Sequence, residues 1–277
     1  MTRWHRMSGV ACALAIAQGA ALAAIAPDVA QDLTKKSGLW LQLDSLGAQV
    51  RAGMASALAQ AGEPQAEAAK TRLLGCADTA YGADALRATA VEAVAGALQP
   101  VDVQPLLAWY DSALGRKVAG MEQASSAQVT DPAERLRRGD QALHTASAGR
   151  KASLQAILAE TRSVDVMADT VIESAIAVRQ GVAGVDGTAT ASSIADIKAD
   201  LSAKRPQLVA RYSQMALPAY AFAYATLDDD ELQHYADYLA GASAKAYNDG
   251  AVRGVARALA DGSVKLGLCL KAGSAKP

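Results

Sequence analysis

The chain has 277 residues, half of them hydrophobic, with 27 basic against 28 acidic side chains and a net charge of −1. That balance removes the electrostatic case for nucleic acid, whose binding relies on clustered Lys and Arg. Ala, Leu, Gln, Lys, Arg and Glu dominate, β-branched runs are short and one Phe is present, so the composition favours helix throughout and excludes a sheet-based fold.

At the start of the chain, Arg3, His5 and Arg6 precede an uncharged apolar run from Met7 to Ala26, and Ala21-Leu22-Ala23 supplies the small-x-small pattern of a signal-peptidase site. Residues 1–23 are therefore expected to be a cleaved signal peptide, giving a periplasmic or secreted protein with no stable membrane span. Ser8, Gly9, Gln18 and Gly19 make the run a poor span. Helices are predicted at 28–36, 39–61, 64–78, 82–98, 102–125, 131–146, 150–163, 165–182, 193–217, 219–226, 229–247 and 250–260. Asp131 with Pro132 and Glu134 writes one helix start, Asp228 with Glu231 a second, and Ser193 with Asp196 a third. Leu154, Ile157, Leu158, Val171, Ile172, Ala175 and Ile176 recur at three- and four-residue spacing, the period of an amphipathic helix. Pro100 separates two helices, and Pro218 is expected to kink or break a third. Gly181 to Ser192 reads as a flexible loop. The predicted fold class is all-α.

The second half of the chain faintly repeats the first. Asp102–Lys117 aligns without gaps with Asp230–Lys245, matching Asp102 with Asp230, Ala108 with Ala236, Tyr110 with Tyr238 and Lys117 with Lys245. Upstream, Lys36-Ser37 answers Arg162-Ser163, while Leu41, Leu46 and Val50 answer Met167, Ile172 and Ile176. The expected organisation is a signal peptide at 1–23 and two divergent helical repeats at 24–148 and 149–277, packed as one body because short helical units bury their apolar stripes against one another.

The phrase Trp109-Tyr110-Asp111-Ser112-Ala113-Leu114-Gly115-Arg116-Lys117 resembles the signature of the bacterial family catalogued as domain of unknown function 2059. The resemblance covers about 83–124, with a degenerate copy at 226–250 in which Asp237 stands for Trp109 and Ser243 for Gly115. It implies an exported helical protein and names no reaction. From the residues alone, Trp109, Tyr110 and Gly115 read as a packing motif. Leu106, Leu107, Tyr110 and Leu114 form one apolar stripe, and Gly115 lets another backbone approach.

Beyond residue 23 only Cys76 and Cys269 remain, and an oxidising compartment is expected to join them. The chain contains no H-E-x-x-H, paired-cysteine zinc spacing, G-x-S-x-G elbow or S-x-x-K dyad, so neither a metal, a cofactor nor a catalytic set is expected. The basic group Arg135, Arg137, Arg138, Arg150 and Lys151 reads as a solvated helix face. Six of the eight tyrosines fall between 212 and 247. Tyr220 with Tyr224, and Tyr235 with Tyr238, share helix faces, so a helix pair could form an aromatic-walled cleft with hydroxyls at its rim. Two functions are carried forward: a non-enzymatic protein-binding or scaffold module of the cell envelope, and a carrier or sensor of a small amphiphile or lipid fragment in the tyrosine cleft.

Overall fold

The computed structural model describes residues 24–60, 67–127, 131–185 and 191–272. The signal-peptide expectation at 1–23 lies outside them. The described residues form thirteen helices and no strand: α1 (Pro27–Lys36), α2 (Leu39–Gln60), α3 (Glu67–Ala80), α4 (Ala83–Ala97), α5 (Pro100–Tyr110), α6 (Ala113–Ala127), α7 (Pro132–Thr145), α8 (Ala148–Thr161), α9 (Ser163–Val185), α10 (Ala191–Ala203), α11 (Arg205–Ala223), α12 (Asp229–Ala240) and α13 (Ala242–Ala272). The fold is all-α.

Local chemistry sets most of these boundaries. Asp131 caps α7 by accepting from the Ala133 amide, and Asp228 with Glu231 closes a reciprocal capping box on α12. The single helix expected at 102–125 is two, because Ser112 Oγ accepts from the Gly115 amide at 2.9 Å and starts α6 afresh. The helix expected at 193–217 also divides, at Lys204, with Pro206 in the first turn of α11. Pro218, expected to kink or break a helix, does not break it: it lies inside continuous α11 and is buried. Its carbonyl sits where a Cβ on Gly139 would come within 1.9 Å, so α7 presses directly on the proline turn and packing offsets the lost backbone bond. The segment expected as a loop from Gly181 is helical to Val185, and helix resumes at Ala191. Beyond Gly241, one helix of 31 residues replaces the short elements expected there.

Six helices precede α7 and six follow it, and the similar segments hold the same ordinal places. Lys36-Ser37 joins α1 to α2, and Arg162-Ser163 joins α8 to α9; Asp102–Lys117 spans α5 and α6, and Asp230–Lys245 spans α12 and α13. The last helix of each half also packs into the other half's core, α13 lying against α9 as well as against α4 and α3. Tyr247, Ala258, Leu259, Leu266 and Leu270 of α13 complete the core built by α1 to α5. Conversely, Leu114, Val118 and Met121 of α6 join the core of α8, α11 and α12. Polar contacts cross the same way: Ser243 Oγ donates to Asp102 at 2.8 Å, and Lys117 donates to Glu231 at 2.7 Å.

α13 reaches its groove because its face is nearly smooth. A Cβ at Gly250 would meet Ala97 Cβ at 2.7 Å, and one at Gly254 would meet Ala90 Cα at 2.9 Å, so glycine sets how closely α13 lies on α4. Cys76 of α3 and Cys269 of α13 are joined as a disulfide, with Cα atoms 5.8 Å apart, fastening the end of α13 to the first half.

Candidate functional site: a tyrosine-lined cleft between the halves

The turn between α5 and α6 puts two rings at the junction of the halves. Ser112 starts α6 immediately after α5 ends, and the missing side chain at Gly115 admits the Trp109 carbonyl, which a Cβ there would meet at 2.0 Å. Trp109 is thereby held between the rings of Tyr235 and Tyr238, stacked at 5.6 and 4.1 Å. Tyr110 meets Tyr238 and Tyr247 edge-on at 6.4 and 5.9 Å. On the other side Tyr235 meets Tyr224, which meets Tyr220, each at 5.6 Å. Seven rings therefore form a continuous ladder, each contact worth about 0.5–1.5 kcal/mol beyond the area it buries. Its ends are tied in parallel fashion. Tyr247 hydrogen-bonds Ser37 after α1, and Tyr220 hydrogen-bonds Thr161 at the end of α8 at 2.8 Å.

The ladder walls a cleft of about 840 Å³. Tyr220, Tyr224, Tyr235 and Tyr238 all line it, as do Trp109, Tyr110, Gly115 and Tyr212. Its sides are apolar, with Leu43 and Leu46 from α2, Val166 from α9, and Val252 and Val255 from α13. Gln42, Ser45, Gln49 and Met167 are exposed and line its open side. The hydroxyls do not all sit at the rim. Tyr224 and Tyr235 turn inward and donate to the carboxylate of Glu122 at 2.6 and 2.9 Å. Arg150 fixes the turn that presents Tyr224, donating to the carbonyls of Tyr224 and Leu227 at 2.8 and 2.9 Å and to Asp229 at 3.0 Å.

Burial sets the electrostatics. It pushes the Tyr110, Tyr224 and Tyr235 phenols well above the usual range, raises Tyr220 and Tyr247 as well, and brings Tyr238 up to about 12. Desolvation also raises Glu122 above the ordinary carboxylate value, opposed by the two phenol hydrogen bonds. Glu122 and Arg135 are the only charged residues among those described that line the cleft. The other basic side chains picked out in the sequence lie elsewhere. Arg137 and Arg138 both pair with Glu134 at 2.7 Å, and Arg150 serves the turn.

Sequence reasoning found the tyrosines and missed their partners. Glu122 follows Leu114 and Val118 at four-residue steps on α6, and an acid on that apolar face was the available signal. Thr161, Ser163 and Asn248 gave none, being ordinary polar residues whose neighbours come from distant parts of the chain. The chain matches no family model, and it matches neither a curated protein nor a solved structure.

Proposed function

We propose that this is an exported, non-catalytic binding protein that holds a small amphiphile in the tyrosine-lined cleft. The observation that carries the reading is the cleft itself, whose volume and apolar walls with a few convergent polar groups match small-molecule sites in general. Tyrosine suits such a ligand because each ring offers apolar area and a polar tip. The Cys76–Cys269 bond and the apolar leader support export to an oxidising compartment. The ordinal match of α1–α6 with α8–α13 supports duplication of one helical unit, with the cleft at the seam between the copies.

Native mass spectrometry of protein purified without detergent tests the reading, combined with a thermal-shift screen of fractionated lipid extract. A retained small molecule, or one fraction that raises the melting temperature, is expected. Failure of both, with the tryptophan fluorescence of Trp40 and Trp109 also unmoved by every fraction, refutes it.

A second reading, a protein-binding scaffold of the cell envelope, draws on exposed apolar side chains. Val264 and Leu268 stand four residues apart on α13, and Met167 and Val171 four apart on α9. Crosslinking from a periplasmic extract that enriches one partner, and loses it in Val264→Asp/Leu268→Asp, would favour the scaffold.

A further inference from the structure

Buried polar atoms in folded proteins almost always find hydrogen-bond partners, so a group of exceptions in one place is informative. Three buried side-chain atoms around the cleft lack a hydrogen-bond partner among the described residues. They are Ser163 Oγ, the Tyr238 hydroxyl and Asn248 Nδ2, and all three residues line it. The Tyr220 and Tyr110 phenols lie beside Ser163 and Tyr238 respectively without closing a hydrogen bond of normal geometry.

Comparison of the two ends of the ladder shows how Ser163 comes to be open. Ser37 and Ser163 both follow the first helix of their half. Ser37 is occupied by Tyr247, whereas Tyr220 is occupied by Thr161, which leaves the oxygen of Ser163, a residue lining the cleft, without a closed hydrogen bond. Arg162 bridges Asp249 at 3.3 Å, which clamps the start of α9 against α13 next to Ser163 and Asn248.

The chemistry of the three atoms specifies the complement. Asn248 Nδ2 only donates, and the two hydroxyls can donate, so the matching group carries acceptors. It is also uncharged. An anionic head would share the cleft with Glu122 and find Arg135 as its sole lining cation, and a cationic head would find the Glu122 carboxylate already accepting from Tyr224 and Tyr235. Resting on the cleft reading above, we infer that the ligand is an uncharged acyl ester or amide. Its ester or amide oxygens accept from donors among Ser163, Tyr238 and Asn248, and its acyl chain lies along Leu43, Leu46, Val252 and Val255.

The test compares three probes of equal chain length below their aggregation limits by calorimetric titration of the full chain: monododecanoylglycerol, dodecanoate and dodecyltrimethylammonium. The neutral ester is expected to bind at least about tenfold more tightly than either charged probe, and Ser163→Ala, Asn248→Leu and Tyr238→Phe are each expected to weaken it by about tenfold. Each variant removes an atom that closes no hydrogen bond of normal geometry in the ligand-free fold, so the melting temperature of the ligand-free protein should change little. Tyr238→Phe removes one atom and keeps the ring stack, which guards against a folding defect in the other two. A preference for a charged probe, equal binding of all three, or variants with unchanged affinity overturns the head-group assignment and leaves the cleft standing. Binding by none of the probes, together with a failed extract screen, overturns both.

Discussion

Replacing Cys76 and Cys269 together by alanine removes the covalent tie between α3 and the last turns of α13 while leaving the helix in its groove. The bond closes a loop of 193 residues in sequence. The chain-entropy model assigns such a loop roughly 5 kcal/mol of stabilisation, lost when the unfolded chain is released from the constraint. Leu259, Leu266 and Leu270 remain buried in the first core, so helix content should not change. Unfolding entropy near 2 cal/mol/K per residue gives the described body about 0.5 kcal/mol/K, which converts the loss into a fall of about 10 °C in melting temperature. Circular dichroism melts at 222 nm on oxidised wild type, wild type reduced to completion, and the double alanine variant are the assay. The last two are expected to coincide, and the variant should ignore added reductant. A fall of less than about 3 °C would refute the reasoning: α13 would then be fixed by packing even in the denatured ensemble, and loop closure would not be what the bond contributes.

The buried acid gives a pH signature. The Glu122 carboxyl is raised in the fold, so the native state binds more protons than the unfolded one once pH exceeds the unfolded value of 4.5, and stability falls as pH climbs from there through the folded value. Urea midpoints of Glu122→Gln between pH 4 and 8 should lack that component while still presenting an oxygen to Tyr224 and Tyr235. At the alkaline end the sign is the same. The phenols of Tyr110, Tyr224 and Tyr235 are held far above 10, so stability falls as unfolded tyrosines ionise, and phenolate absorbance should appear together with unfolding. On α13, Gly254→Val drives side-chain atoms into Ala90, whose Cα a Cβ would already meet at 2.9 Å; an overpacking loss of about 1–3 kcal/mol is expected in chemical denaturation.

The helices were readable because their starts are local. Asp131, Asp228 and Glu231 act on amides two or three residues away, and no tertiary contact is needed to see it. Ser112 and Pro206 mark starts just as locally, yet an apolar period running straight through both masks them. Pro218 failed for the opposite reason. The packing partner of the proline turn is α7 at Gly139, 79 positions earlier in the chain, and no window of sequence around the proline contains it. The site divides in the same way. Clustering of tyrosines between 212 and 247 marked one wall, and the aromatic pair Trp109-Tyr110, read for packing, both packs and lines the cleft. The partners that turn rings into a polar site are remote. Glu122 lies 102 and 113 residues from the phenols it accepts, and Thr161 lies 59 from Tyr220.

The packing of α13 on α4 and α3 sets an order of events during synthesis. A ribosome delivers the chain from its N-terminus, and α1 to α5 appear with the long apolar groove of α4 uncovered, since its natural cover is α13. The second half can gather around α6 as it arrives, because α6 is already present. The first half cannot close until Leu270 has been made, at the far end of the chain. Cys76 likewise waits through 193 positions for its partner. The first-made half is therefore the last to finish, and it carries an open apolar surface through most of translation, the interval in which such chains aggregate or engage a chaperone. A truncation only a few turns short of the C-terminus would leave that half unfinished permanently and would also strip cover from α9.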